Sequence, residues 1–599
     1  MNRLKSLLLT ATLLSFLVFT GCNSLKKMVK MAEEQNLTVE PSPLELQGST
    51  VTFNMSAKLP VKMLKKDKIY TVNTFYQYGD QRVDVGSVEF RAADFPNGAE
   101  QEPEQSQEFT FDYAGEEMDN GMLMVQGVAS DPNSDKTAET PEMQVAEGLI
   151  VTQKLVETPS YVAYGNHGYN NQEELVPTNV NFYFPQGSSV LRRSETRSDR
   201  GDRFSNFIAE KNVTRSVTIT GTHSPEGSER VNSDLSSDRA GRIEEYYREQ
   251  MDRYDYQGAA DSIEFILKPV VEDWAQFNDS LQNYDGISAG EKAEYSSIIN
   301  GAGSFEEKED QLQQLPTYRK VFADVYPKLR TAQTNILTVK EKKTDSQIAT
   351  FAKQIYEGVF GSDSLTSEEL MYSATLTPSL DEKQKIYEEA IESYDSWAAR
   401  NNLGAVYIAQ AMEAEGSEMT DKLDEALSNL EQSARMEDNA EAHANMAIIY
   451  AVRGDTERAK QEIDQANGMQ PSEPDARAGM NGVRGAIQIM NGEYQEAVST
   501  LSNASESAQN SFNLGLAQVL TDNYENAITS FEEALSQESG MAKAQYGIAI
   551  ANAYLQNESG MTDALSAAVQ ADPSLREYAL SDLVFTNYKE SEAFRSALQ

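Results

Sequence analysis

Three residues around one predicted loop have side chains that suit a charged ligand. Residues 219–243 read ITGTHSPEGSERVNSDLSSDRAGRI, an apolar strand that ends at a glycine, a polar turn and a helix. Asn232 and Arg239 fall at and just after the start of that helix, where the helix dipole and a fork-shaped donor favour a carboxylate. Glu226 in the turn is an acceptor for an ammonium group. Together these residue types suit a zwitterionic amino-acid group.

The segment that carries these residues resembles the OmpA-like peptidoglycan-binding family. The likeness rests on a strand VNFYF at 180–184 and on residues that match the family's strand-end glycine and its helix opening, which are Gly221, Asn232, Leu235, Ser236, Arg239 and Ala240. In that family an Asp of the loop and the Arg of the helix hold the diaminopimelate of the wall peptide. The resemblance therefore implies peptidoglycan as a partner, with Arg239, Asn232, Ser224 and Glu226 as the candidate binding residues.

The loop departs from the family at one position. Ser224 stands where the family has Asp, so the ammonium group would lose its main partner unless Glu226 replaces it. The alternative is a structural role for Arg239, in which its guanidinium pairs with Asp238 or Glu244 or its stem packs on the sheet. The domain would then be a protein-interaction module that does not touch the wall.

The predicted elements around this loop form an α/β domain over residues 175–345. Strands are predicted at 180–184, 216–221 and 330–339, and helices at 200–210 and from Ser233 onward. A helical insertion is predicted at about 255–325, before the final strand. This insertion is similar to one in members of the family from the Bacteroidota phylum.

The N-terminus predicts export and lipidation. Residues 1–21 combine two basic residues with a short apolar run, which is typical of a signal peptide. Cys22, the only cysteine, ends the stretch FTGC, which resembles a bacterial lipobox. A lipidated tether is therefore expected over 22–36, on an outer-membrane lipoprotein that faces the periplasm. The alternative is an ordinary secretory signal with a coincidental cysteine.

Residues 37–154 predict an all-β domain. Apolar and polar residues alternate in short runs, and Pro and Gly punctuate them at regular spacing. That pattern is typical of an immunoglobulin-like sandwich. No clustered His, Cys or carboxylate residues accompany it, so we expect it to act as a spacer or in protein contact.

Residues 382–599 predict helices that repeat. Similar stretches begin with small residues spaced by 43, 38, 30 and 32 positions, which are Gly404, Ala447, Gly485, Gly515 and Gly547. The second helices carry Ala459, Ala497 and Ala527, each followed four positions later by a large apolar residue. The pattern resembles the tetratricopeptide repeat family and implies an all-α solenoid that binds an unknown protein partner.

Neither composition nor motifs favour catalysis. The net charge of -43, from 94 acidic and 51 basic residues, argues against nucleic-acid binding. The histidines, His167, His223 and His443, fall in different predicted modules, so neither a metal site nor a cofactor is expected.

Three short Asp-Ser-apolar motifs are similar to the O-glycosylation sequon of Bacteroidota, with Ser262, Ser280 and Ser364 as candidates.

The modules together predict a multidomain, non-catalytic lipoprotein. The expected role is to tether the outer membrane to peptidoglycan and to scaffold a protein partner through the repeats. The alternative is an accessory subunit of an outer-membrane secretion, gliding or biogenesis complex that binds no peptidoglycan.

Overall fold

The computed structural model describes residues 24–256, 259–270 and 274–599. The predicted signal peptide over 1–21 and the predicted lipidation site Cys22 lie outside the described residues. The chain divides into two compact units, one of residues up to 169 together with 345–599 and one of residues 170–344. Among the described residues, no helix combines the length and the apolar character that crossing a membrane requires.

The first unit opens with a helix and a sheet-rich region. Its elements are α1 (Ser24–Ala32), β1 (Asn36–Glu40), β2 (Leu44–Gln47), β3 (Thr50–Lys58), β4 (Ile69–Tyr78), β5 (Gln81–Arg91), β6 (Glu104–Asp112), β7 (Met122–Ser130), β8 (Thr137–Glu139), β9 (Met143–Glu147) and β10 (Leu149–Ile150). In one sheet β3 pairs with β1, β2 and β6, and β2 pairs with β10; in the other β4 pairs with β5 and β7, and β7 pairs with β8 and β9. Alternate residues of β3 and β4, such as Phe53 and Val72, are buried in one shared core. The sheet-rich N-terminal region is confirmed, and its immunoglobulin-like type stays a prediction.

Part of the predicted tether belongs to this folded region. Leu25, Met28 and Ala32 lie on one face of α1, at helical spacing, and all three are buried in the core of the sandwich. Removing that apolar face from water stabilises the helix on the sheets. A free tether over 22–36 is therefore wrong for residues 24–32, which pack as an element of the domain.

The second unit is an α/β domain with a helical subdomain. Its elements are β11 (Leu175–Tyr183), α2 (Arg193–Thr196), α3 (Asp199–Ala209), β12 (Thr214–Gly221), α4 (Glu229–Arg253), β13 (Glu264–Pro269), α5 (Trp274–Gln282), α6 (Ala289–Ile299), α7 (Phe305–Leu312), α8 (Tyr318–Asp324), α9 (Tyr326–Leu329) and β14 (Thr331–Val339). The strand order is β11-β14-β12-β13, and only β12 and β13 run parallel among these described pairs. Helices α3 and α4 share the core of the sheet through residues such as Phe204 and Tyr247.

The predicted insertion at 255–325 is wrong at its start. β13, which lies inside that range, pairs with β12 and completes the sheet, so the inserted helices are α5–α9. These helices have a core of their own, built around Phe277, Tyr295 and Tyr326. The sequence of β13, EFILKP, shows no period-two pattern, since its residues are mostly half-buried or exposed at the sheet edge.

The C-terminal part of the first unit is all helical. Its helices are α10 (Asp345–Tyr356), α11 (Ser367–Ser373), α12 (Leu380–Tyr394), α13 (Trp397–Glu413), α14 (Gly416–Met436), α15 (Ala440–Val452), α16 (Thr456–Gly468), α17 (Ala476–Met490), α18 (Tyr494–Leu501), α19 (Ala508–Val519), α20 (Tyr524–Gln537), α21 (Ala542–Tyr554), α22 (Glu558–Ala571), α23 (Leu575–Ser581) and α24 (Glu592–Ala597). Consecutive helices pack as pairs from α13/α14 to α21/α22, which is consistent with a tetratricopeptide solenoid. The paired helices begin with α13, shortly after the predicted start of the repeats at 382, and α10–α12 precede them.

The repeated small residues explain how the paired helices approach. A Cβ atom on Gly485 would lie 2.3 Å from Leu501 of the paired helix α18. One on Gly515 would lie 2.8 Å from Phe531 of α20. Glycine at these positions leaves the space that the large apolar side chain of the partner helix fills.

The sandwich is joined to the solenoid within the first unit, and is not a separate spacer. The Gln153 side chain accepts a hydrogen bond from the Gly48 N–H (2.7 Å) and donates one to the Gly48 carbonyl (2.6 Å). The hydroxyl of Tyr494, on α18, donates to the Leu46 carbonyl and to Gln153. Gly48 has a φ of +62°, and a Cβ there would lie 2.8 Å from the Asn491 carbonyl oxygen, so glycine allows the close contact.

Candidate functional site

Arg239, the central residue of the predicted wall-binding site, is bound by backbone carbonyls. Its side chain is 1% exposed. Nη1 donates to the Thr222 carbonyl (2.7 Å), Nε to the Ser188 carbonyl (3.1 Å) and Nη2 to the Pro185 carbonyl (3.2 Å). Arg239 therefore ties the end of β12 to the loop after β11. The hydrogen bonds of its guanidinium go to these carbonyls and not to Asp238 or Glu244, so the predicted pairing with either acid is wrong.

Ser224 and Glu226 instead meet Arg330, at the end of the inserted helices. Arg330 Nε donates to Ser224 Oγ (2.8 Å) and to Glu226 Oε1 (3.1 Å), and Arg330 Nη2 lies 2.7 Å from Glu226 Oε1. Burial and, to a smaller extent, the positive charge of Arg330 lower the pKa of Arg239 to about 10, and the charge of Glu226 opposes that shift. Sequence analysis missed Arg330 because it lies about 100 residues from its partners.

Asn232 lies close to Gly227, the residue after Glu226, and leaves a donor unused. The residue is 3% exposed, and a Cβ on Gly227 would lie 3.6 Å from Asn232 Oδ1. Asn232 Nδ2 and Glu226 Oε2 are both buried and have no hydrogen-bond partner among the described residues. A buried donor or acceptor without a hydrogen bond lowers the free energy of unfolding, unless a water molecule or a ligand forms the missing bond.

The remaining predicted site residues lie apart from this loop. Ser262 is exposed, and Ser280 and Ser364 are half-buried, so the glycosylation prediction stays untested. His443 contacts two carboxylates, with Nδ1 2.6 Å from Glu462 and Nε2 2.8 Å from Asp438. Within the described part of the chain, no group of three or more His, Cys, Asp or Glu side chains is arranged to hold a metal ion.

A second candidate site, which sequence analysis missed, lies along the helical repeats. Residues 156–168 have no regular secondary structure and run along the first helices of successive pairs. The N-terminal end of this segment contacts α19, and its C-terminal end contacts α13. Side chains from those helices contact the segment over its length. We call these helix faces the groove and residues 156–168 the cis segment.

Three asparagines of the groove each bind both backbone groups of one residue in the cis segment. Asn513 accepts from the Glu157 N–H (2.9 Å) and donates to the Glu157 carbonyl (3.0 Å). Asn445 does the same with Ala163 (2.8 Å for both bonds) and Asn402 with Gly165 (2.6 and 3.1 Å).

The geometry of these paired bonds defines the conformation that is bound. The N–H and the carbonyl of one residue point to the same side only when the backbone is extended. Ala163 and Gly165 are two positions apart and both direct their backbone groups at the groove, as alternate residues of a strand do on one side. The amides read main-chain groups, which every residue except proline offers in full, so the groove recognises an extended backbone.

The side chains of the cis segment fit closely against the repeat helices. Ala163 is fully buried among the repeat helices. A Cβ on Gly165 would lie 2.9 Å from the ring of Trp397, so only glycine fits there without displacing the ring. On α17, a Cβ on Gly479 would lie 2.2 Å from the ring of Tyr161, so that glycine makes room for the tyrosine.

Polar contacts fix the two ends of the cis segment. Lys543 Nζ lies 2.7 Å from the carboxylate of Glu157. At the other end the Asn166 N–H donates to Ser472 Oγ (3.0 Å), and Asn166 Nδ2 donates to Glu473 (2.5 Å).

The sequence does contain a signal for this groove. Asn402, Asn445 and Asn513 each stand two positions before the repeated small residue. All three are at most 2% exposed. An amide repeated in phase on an otherwise apolar helix face indicates a buried hydrogen-bonding role, because an unpaired amide there would be costly. The cis segment itself has no periodic pattern that could be recognised.

Comparison with known proteins adds little to this geometry. No family model matches the chain, and no curated protein matches it significantly. Solved structures with some likeness include YrrB, a TPR protein with an unusual peptide-binding site, at 19% identity and a TM-score of 0.25, covering 33% of this chain and 95% of that one. Others are a TPR protein from Parabacteroides merdae (16%, 0.25, covering 39% and 96%) and part of one from Cytophaga hutchinsonii (14%, 0.27, covering 42% and 92%). At these TM-scores the likeness carries no argument, and the helix pairs of the chain itself define the repeats.

Proposed function

We propose that this protein is a non-catalytic scaffold whose repeat groove binds extended polypeptide through its backbone. The observation that carries the proposal is the row of asparagines Asn402, Asn445 and Asn513, each of which forms two hydrogen bonds to one residue of an extended segment. Main-chain hydrogen bonds supply affinity in such recognition, and side-chain fit supplies specificity.

The cis segment is the occupant of the groove in the free protein. A partner with an extended segment would compete for the same amides, so partner binding and release of the cis segment are one exchange. A partner can bind only those chains in which the groove is open. Its apparent affinity is therefore the affinity for the open groove multiplied by the fraction of open chains. The proposed location is the outer membrane, where a lipid on Cys22 would anchor the protein on the periplasmic face. The FTGC stretch that ends at Cys22 supports this location.

The test uses a chain in which residues 157–167 are replaced by a Pro/Ser linker of equal length with proline at positions 157, 163 and 165. Proline has no N–H to donate to the asparagines, so this linker leaves the groove open. A fluorescent peptide with the sequence of residues 156–169 should bind to this variant in trans, with a saturating rise in anisotropy. Adding Asn445→Ala should weaken binding about 30-fold, since the two hydrogen bonds to the peptide backbone, of about 1 kcal/mol each, are lost.

The matched control is Asn526→Ala, which removes an exposed asparagine from the second helix α20, away from the cis segment. It should leave binding unchanged. Peptide that does not bind the open variant, or binds equally after Asn445→Ala, would refute a groove for extended polypeptide.

The second unit supports a second candidate function, which is binding of the peptidoglycan peptide. Its support is that the donor Asn232 Nδ2 and the acceptor Glu226 Oε2 are both buried without a hydrogen-bond partner among the described residues, and these two groups suit the carboxylate and the ammonium of a zwitterion. Glu226 would take the part that the resemblance assigns to the missing Asp, and Arg239 would act by holding the loops.

Co-sedimentation of the protein with purified peptidoglycan tests this second function. Asn232→Ala and Glu226→Gln should abolish sedimentation, while Asn206→Ala, on α3, should not. Arg239 is a poor test residue because its removal leaves three carbonyls without a donor. Failure of the wild-type protein to sediment would favour the alternative, an accessory subunit of an outer-membrane complex that binds no peptidoglycan.

A further inference from the structure

A pocket of about 300 Å³ lies in the first unit where the sandwich meets the solenoid. The sandwich side includes Glu45 of β2 and Thr152, and the solenoid side includes Asp522, Tyr524 and Tyr554. This site is separate from the groove, because no residue of the cis segment lines it.

The pocket carries negative charge that no neighbouring cation balances. Its lining contains two carboxylates and no Lys, Arg or His among the described residues. Asp522 Oδ1 accepts a hydrogen bond from the Tyr524 hydroxyl (2.6 Å), whereas the Glu45 carboxylate has no hydrogen bond or ion pair with any residue that the structure describes. Burial raises the pKa of Glu45, and the charge of Asp522 adds to the rise, so the negative charge of Asp522 makes the charged form of Glu45 more costly.

Two further features of the wall suit a ligand. The rings of Tyr524 and Tyr554 stack 4.8 Å apart at an angle of 9°, which places two parallel aromatic rings beside the carboxylates. Thr152 is 5% exposed, and its Oγ1 is buried without a hydrogen-bond partner among the described residues. An unused hydroxyl at this depth is an acceptor for an incoming N–H group.

We propose that this pocket binds an organic cation, the ammonium of a lysine or the guanidinium of an arginine side chain on a partner protein. Carboxylates form charge-assisted hydrogen bonds with both groups, and tyrosine rings attract a cation placed over their faces. The net charge of -43 favours encounters with a basic partner, and a side chain is long enough to enter a pocket that a folded surface cannot. The pocket would therefore fix a basic partner at the junction of the sandwich and the solenoid.

Ligand-observed NMR titration of the full chain at 0.15 M salt tests the proposal. The probes are the capped amino acids Nα-acetyl-lysine methylamide and Nα-acetyl-arginine methylamide, their neutral analogue from norleucine, and the free polyamine spermidine. Saturable binding of the two cationic probes and none of the norleucine analogue is expected. Glu45→Gln keeps the shape of the side chain and should weaken binding about fivefold or more, as expected for loss of one partly exposed ion pair.

The matched control is Glu108→Gln, which removes the same charge from an exposed position on β6 of the same sheet. It should leave binding unchanged, and all variants should keep the thermal midpoint of the wild type. Three results would overturn the proposal: no saturable binding of either capped cation, equal loss in Glu45→Gln and Glu108→Gln, which would indicate diffuse attraction, or binding of spermidine alone.

Discussion

Replacing Asn445 by alanine tests how the groove holds the cis segment. The Asn445 amide makes three hydrogen bonds: it accepts from the Ala163 N–H (2.8 Å) and donates to the Ala163 carbonyl (2.8 Å) and to Asn401 Oδ1 (3.0 Å). In Asn445→Ala the Ala163 carbonyl keeps one donor, Asn401 Nδ2 at 2.9 Å, but the buried Ala163 N–H loses its acceptor. The bond to Asn401 lies within the groove, so the cis segment loses two bonds, and at about 1 kcal/mol for each it should lose about 2 kcal/mol of its binding free energy.

The loss should appear as local opening, because two of the three hydrogen bonds of Asn445 go to the segment. About 2 kcal/mol corresponds to an increase of about 30-fold in the open population. Limited chymotrypsin digestion reports that population, since Tyr161 and Tyr164 lie within the segment and are half-buried. Under conditions where opening is faster than cleavage, the cleavage rate at these tyrosines should rise by about the same factor.

Two further variants make the result specific. Asn445→Asp keeps the acceptor for the Ala163 N–H but places a carboxylate oxygen against the Ala163 carbonyl, so it should open the segment at least as much as alanine does. Asn526→Ala, the exposed control, should cleave like the wild type. Equal cleavage rates for the wild type and both Asn445 variants would refute the reasoning, because the segment would then be held by something other than its backbone bonds.

Three shorter predictions concern other parts of the chain. Gly479→Ala should push the Tyr161 ring, 2.2 Å from the new Cβ, out of its place, cost about 1–3 kcal/mol and raise chymotryptic cleavage. Arg239→Met should destabilise the second unit by about 3 kcal/mol in urea denaturation, because three carbonyls lose a donor and the apolar stem is kept. For His443, burial lowers the pKa, but the hydrogen bonds that its ring donates to the carboxylates of Glu462 and Asp438 outweigh burial and raise the pKa above its usual value of about 6.5. Its stabilisation should therefore be complete below about pH 6.5 and be lost as pH rises through the raised value, and His443→Gln should remove that part of the pH dependence of unfolding.

The sequence by itself determined the helix pairs of the solenoid. Gly485 and Gly515 recur because each must face a large side chain, Leu501 or Phe531, from the helix that follows directly in the chain. Such contacts are local, so they leave a periodic pattern that can be read without a structure. The alternation along β3 is readable for the same reason, since one face of the strand is buried.

Only the tertiary structure decided what fills the groove and what Arg239 does. Asn402 and Gly165 meet across 237 residues, and the bonds go to main-chain groups that leave no trace in side-chain types. The partners of Arg239 are likewise backbone carbonyls, two of them more than 50 residues away. A pattern of side chains can predict which faces of local elements are buried, but it cannot predict which distant backbone a buried amide or guanidinium will bind.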